Sequence, residues 1–199
     1  MTHIAILTFD GFNELDSIVA LGILNRVRKT GWRVSLASPT ATVTSMNGVT
    51  MHAQATMAEA NAADAVIVGS GVRTREIAND AALMSVLQLD PQRQLIGAQC
   101  SGTLLLAKLG LLGSLPACTD LTTKPWVQEA GVEVLNQPFV AHGNVATAGG
   151  CLASVYLAAW LLARLLDRDA AASALHYVAP VGEKEAYVSR AMEHVTRYV

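Results

Sequence analysis

The chain has 199 residues, 52% hydrophobic and 15% charged, with 14 Lys and Arg against 16 Asp and Glu for a formal net charge of −2. That length carries one domain with a sizeable core. The near balance of charge, with no basic run, argues against nucleic-acid binding through clustered phosphate contacts, and no basic amphipathic segment points to a membrane surface.

Taken in chain order, short apolar runs alternate with helical segments. His3–Thr8 reads as a buried strand, and Leu15–Arg28 as a helix with Ile18, Leu21, Leu24 and Val27 on one face. Gly31–Ser38 is a second strand, and Thr42–Ala53 a hairpin turning at Asn47-Gly48. Ala65–Val68 is a buried strand that runs into Gly69-Ser70-Gly71. Asp80–Leu89 is a helix ending before Asp90-Pro91, and Gln94–Gln99 is the next strand. Ser101–Leu111 is a helix, Gly131–Asn136 and Val145–Thr147 are short strands, and Ala148–Asp167 holds the most apolar helix. A last amphipathic helix runs from Glu183 to Val199. The alternation predicts one α/β domain over 1–199, with a mostly parallel sheet and helices on both faces. Functional loops in such sheets lie at the carboxyl ends of the strands. Here those are Phe9–Asp16, Gly69–Thr74 and the turn at Cys100.

The N-terminus has no positive region followed by a signal-type apolar core. The longest apolar stretch, Cys151 to Ala163, is too short to span a bilayer. A cytoplasmic location is the expectation, with reduced thiols. Three cysteines without close pairs do not form a disulfide framework. The apolar composition predicts that part of the surface is covered by a second copy, as a homodimer.

Chemistry concentrates at Ala98-Gln99-Cys100-Ser101-Gly102, where a strand passes into a helix with almost nothing between. A nucleophile there projects from a sharp turn, and Gly102 lets strand and helix approach. The helix N-terminus predicts a lowered thiol pKa for Cys100. Cys118 and Cys151 read as small buried hydrophobes. Ser70 and Gly71, on the loop after Ala65–Val68, are candidates for stabilising a developing negative charge. Asp16 is either a helix-capping residue or an acid at the site. None of the five histidines is adjacent to Cys100 in sequence. The spacing of Cys, His and carboxylates predicts no metal site, and no Gly-rich dinucleotide or P-loop motif predicts a cofactor.

These motifs resemble the ThiJ/PfpI superfamily, the class I glutamine amidotransferase-like proteins. The resemblance rests on IAILTFDGFNELD, DAVIVGSG, GAQCSGTLLLAKLGLL and VATAGGCLASVYLAAWLL. It implies a flavodoxin-like sandwich, usually dimeric. It makes Cys100 the elbow nucleophile, Asp16 the acid bonded to its sulfur with a raised pKa, and Ser70 and Gly71 the oxyanion loop. Ser101, where peptidase-like relatives carry His, joins the charge-stabilising set. Lys124 stands near where many relatives have His, and with Thr103 it is expected to line the pocket. The hydroxyl after the cysteine and the acid near the first helix look most like the isonitrile hydratase branch, which turns an isocyanide into an N-formamide. Glyoxalase or deglycase activity on methylglyoxal-type carbonyls, and a redox-responsive role centred on Cys100, are the alternatives. Each takes a small molecule as partner.

Overall fold

The computed structural model describes all residues from Met1 to Val199. A six-stranded sheet forms its centre, built from β1 (Thr2–Leu7), β2 (Trp32–Ala37), β5 (Ala65–Val68), β6 (Leu95–Gln99), β7 (Phe139–His142) and β8 (Val145–Ala148). The strand order is β2-β1-β5-β6-β8-β7, and every pairing is parallel except that of β7 with β8. β3 (Thr42–Thr44) and β4 (Thr50–His52) make a separate antiparallel hairpin across Asn47-Gly48, as expected. This is the mostly parallel α/β sandwich predicted from the alternation, in the flavodoxin-like form that the resemblance implies.

The central strands are apolar on both faces because helices cover both. Side chains alternate across a strand, so Ile4 and Ile6 enter one core while Ala5 and Leu7 enter the other. The first core is closed by α1 (Glu14–Leu24), α7 (Ser154–Leu165), α8 (Arg168–Val178) and α9 (Lys184–Val195), with the fully buried Trp160 at its centre. The second is closed by α2 (Met57–Ala62), α3 (Thr74–Asn79), α4 (Ala81–Ser85), α5 (Gly102–Lys108) and α6 (Lys124–Glu129), with Leu104, Leu105 and Leu106 packed inward. Each such leucine contributes about 1.5–3 kcal/mol by leaving water. No helix is long and apolar enough to cross a membrane.

Several expected elements change. The predicted strand Gly131–Asn136 is a single bridge between Ala117 and Val134, and the strand that pairs with β8 is β7 instead. The helix expected from Ala148 begins at Ser154, after the Gly149-Gly150 turn and a 3₁₀ turn at Cys151–Ala153. The helix expected to reach Arg28 stops at Leu24, where the Asn25 amide turns back onto the Leu21 carbonyl at 3.0 Å.

β1, β5 and β6 end in register, with Leu7 beside Val68 and Val68 beside Ala98. The loops after them therefore meet at one sheet edge. The Gly69 N–H donates to the Leu7 carbonyl at 2.9 Å, and the Asn13 N–H to the Ser70 carbonyl at 2.8 Å. Gly102 starts α5 against this edge, where a Cβ would stand 2.4 Å from the Val68 carbonyl oxygen.

Candidate active site around Cys100

Cys100 follows β6 directly and is the only non-glycine residue with a positive φ, at 44°. A side-chain-bearing residue reaches that region at a cost, and it persists only where surrounding structure enforces it. Here the Cys100 N–H is held by the Ala148 carbonyl at 2.8 Å, and its own carbonyl accepts from Thr119 Oγ1 at 2.7 Å. This pinned, left-handed residue between strand and helix is the geometry of a nucleophile elbow.

Asp16 comes from the first turn of α1 and is fully buried. It is not the helix cap: that role falls to Asn13, whose Oδ1 accepts from the Leu15 N–H at 3.1 Å. The Asp16 carboxylate instead accepts from Ser70 Oγ at 2.5 Å on one oxygen and from Ser17 Oγ at 3.4 Å on the other. Burial raises its pKa to about 6, against the opposing pull of Ser70 and Cys100.

The Cys100 thiol is also pushed up, by burial first and the Asp16 carboxylate second. This corrects the expectation of a thiol lowered by its helix. α5 is seven residues long, and Cys100 is 4% exposed, so desolvation and a neighbouring negative charge outweigh the helix end. Asp16 and Cys100 thus share one negative charge, since two like charges this close do not both ionise.

The other predicted residues separate into two groups. Gly71 lies on the cleft wall, but its N–H donates to Ser101 Oγ at 3.1 Å, and Ser101 Oγ also lies 2.8 Å from Thr74 Oγ1. Ser70 serves Asp16 through its hydroxyl. Thr103 and Lys124 do not line the cleft, contrary to expectation. Thr103 is buried and donates to the Cys118 carbonyl at 2.8 Å, because it lies on the inner face of α5. Lys124 opens α6 and borders a neighbouring depression with Leu121 and Gln137.

The cleft over Cys100 measures about 370 Å³, and its walls include Asn13, Arg75, Asp120, Trp126 and Cys151. No histidine reaches it: His3 meets Ser35, His142 the Pro116 carbonyl, His176 Glu185, His194 packs on Tyr156, and His52 is exposed. Sequence reasoning missed Cys151 by reading it into a buried helix. The Asp16 carboxylate, Cys100 Sγ and Cys151 Sγ lie within 4.8 Å of one another, a grouping of donor types that can hold a metal ion and that sequence spacing did not reveal. The signal available was its place just past the carboxyl end of β8, the same edge that carries Cys100.

The family model for the DJ-1/PfpI family matches residues 2–164. The chain belongs to the DJ-1/PfpI family. Among solved structures it is similar to Schizosaccharomyces pombe DJ-1, with 18% identity and a TM-score of 0.76 over 90% of this chain and 100% of that one. A cysteine-to-alanine mutant of a DJ-1 superfamily protein from Salmonella typhimurium is 25% identical, with a TM-score of 0.77 over 89% and 98% of the two chains. Oxidized Toxoplasma gondii DJ-1 is 19% identical, with a TM-score of 0.73 over 89% and 98%. No curated protein sequence matches the chain. DJ-1/PfpI membership agrees with the superfamily resemblance read from the motifs around Cys100.

Proposed function

We propose that this DJ-1/PfpI protein is a cysteine-dependent enzyme that hydrates a small electrophilic carbon, with an isocyanide as substrate and an N-formamide as product. The observation that carries this reading is the buried Asp16 carboxyl beside Cys100 in a cleft without histidine. Chemistry here runs without an imidazole base, and isocyanide hydration needs only one thiol and one carboxyl, the roles given to Cys100 and Asp16.

Above pH 6 the pair rests as an Asp16 carboxylate and a Cys100 thiol. As the sulfur attacks the terminal isocyanide carbon, Asp16 takes the thiol proton and delivers it to that carbon. A C–S and a C–H bond form, giving a thioimidate. Asp16, again a carboxylate, then draws a proton from water as the water oxygen adds to the same carbon. The C–S bond breaks, the nitrogen gains a proton, and N-formamide leaves with the Cys100 thiol restored. General-base help of this kind contributes about 10²–10⁴-fold. Ser70 keeps Asp16 oriented. Ser101 and Gly71, bonded to each other, border the space where charge develops.

The test is formamide production from an aryl isocyanide, followed by chromatography. Cys100→Ala and Asp16→Asn should each abolish it, and a wild-type protein that makes none removes this reading. Methylglyoxal consumption is assayed alongside; turnover of methylglyoxal without turnover of isocyanide would establish the glyoxalase or deglycase alternative. The redox alternative draws on the second thiol beside Cys100 and on fold similarity to a DJ-1 described as oxidized.

A further inference from the structure

The hydration scheme leaves Cys151 unused. It is half-buried, opens the 3₁₀ turn between β8 and α7, and shares the cleft wall with Cys100. Its sulfur accepts a hydrogen bond from Asn13 Nδ2 at 3.1 Å, which fixes that sulfur on the cleft wall. Cys118, in contrast, is fully buried, its thiol pushed up to about 12 by burial.

We propose that Cys151 is the resolving thiol of a reversible Cys100–Cys151 disulfide, formed when a hydroperoxide enters the cleft. In the first step the Cys100 sulfur attacks the peroxide oxygen. The O–O bond breaks, the Cys100 thiol proton passes by way of Asp16 to the departing oxygen, Cys100 becomes a sulfenic acid, and the peroxide leaves as an alcohol, or as water from hydrogen peroxide. In the second step the Cys151 sulfur attacks the Cys100 sulfur. An S–S bond forms, the S–O bond breaks, and the hydroxyl leaves as water with the proton from the Cys151 thiol, which Asp16 is placed to relay. Two thiols lose two electrons in total and the peroxide gains them. A dithiol reductant reverses the change.

Three features of the site support this assignment. The two sulfurs lie within 4.8 Å of each other, so a bond of about 2 Å requires a local shift rather than refolding. Room for that shift lies at Gly150, with φ 95° and no atom within 4 Å of where a Cβ would stand, while Gly149 before it is anchored through its N–H to the Pro138 carbonyl at 2.9 Å. The third is the Asn13 amide, which positions the Cys151 sulfur in the cleft beside Cys100. A resolving thiol in this position diverts the sulfenic acid before a second peroxide takes it to the irreversible sulfinic state. The bond also covers the Cys100 sulfur, so catalysis by that sulfur would stop until reduction. The inference rests on the geometry of the two thiols and stands whether or not isocyanide hydration is the activity.

The experiment treats reduced full-length protein with equimolar hydrogen peroxide, then maps non-reduced peptides by mass spectrometry. The wild type should lose two hydrogens in intact mass and yield a linked peptide containing Cys100 and Cys151 that dithiothreitol separates. Cys118→Ser should behave identically. Cys151→Ser should give no linked peptide, and its Cys100 should be trapped by dimedone, or gain two oxygens when a second equivalent of peroxide is added. The proposal is overturned if the wild type yields no such peptide, or if Cys100 reaches the sulfinic state equally fast in wild type and Cys151→Ser.

Discussion

Ser70 Oγ donates to Asp16 Oδ2 at 2.5 Å, linking the loop after β5 to the first turn of α1 directly beside the Cys100 thiol. That bond opposes the effect of burial on Asp16 and holds its pKa near 6. Ser70→Ala should therefore move the acidic limb of the pH–rate profile upward, because the carboxylate loses its strongest stabilising partner. The sign is fixed: activity needing an Asp16 carboxylate rises with pH through its pKa, and the variant rises later. A pH profile of isocyanide turnover checks this; an unmoved limb would detach Asp16 from the titration.

Asp16 should also write itself into stability. Its pKa is raised from 3.8 to about 6, so the folded state resists ionisation more than the unfolded chain does. Below pH 3.8 both states hold the proton and no cost arises. As pH climbs toward and past 6 the folded protein loses stability, up to about 3 kcal/mol. Asp16→Asn cannot ionise and still offers an oxygen to Ser70. Its melting temperature relative to wild type should rise between pH 4 and 7 and level off above. A difference that stays flat across that range would contradict the assignment of Asp16 as the buried, reluctant acid.

Cys100 stores backbone strain at φ 44°. Glycine adopts that region freely and alanine does not. Both Cys100→Ala and Cys100→Gly remove the thiol, so their difference isolates the backbone. Cys100→Gly should be the more stable of the two by about 1 kcal/mol, read from urea denaturation midpoints at equal slope.

The sequence exposed the fold and the elbow because their signals are local. Apolar runs punctuated by glycine gave Ala65–Val68 and Gln94–Gln99 nearly to the residue, and the absence of any spacer before Ser101 marked the turn at Cys100. Asp16 was legible only through the resemblance, since an acid near a helix start is indistinguishable from a cap without knowing that Asn13 takes the cap. Cys151 was legible only by its place just past the predicted strand Val145–Thr147, not by any cysteine spacing. It follows two glycines after β8, and only the β6–β8 pairing of Gln99 with Ala148 brings that turn to Cys100. Long-range register of this kind leaves no trace in the spacing of three cysteines. The thiol pKa went the wrong way for a related reason: a helix end is readable in sequence, whereas the burial of its first residue is a property of packing.

Thr103 and Lys124 separate a structural role from a catalytic one. Thr103 Oγ1 satisfies the buried Cys118 carbonyl at 2.8 Å, and the Cys118 N–H in turn donates to Thr147 Oγ1 at 2.8 Å on β8. Thr103→Val keeps the shape but orphans that carbonyl, a loss of about 1–3 kcal/mol. Lys124 lines the neighbouring depression and not the cleft over Cys100. Lys124→Ala should leave both stability and turnover within error of wild type, while Thr103→Val lowers the unfolding midpoint and leaves KM for the isocyanide unchanged. A Lys124→Ala variant with raised KM would return that side chain to the substrate site.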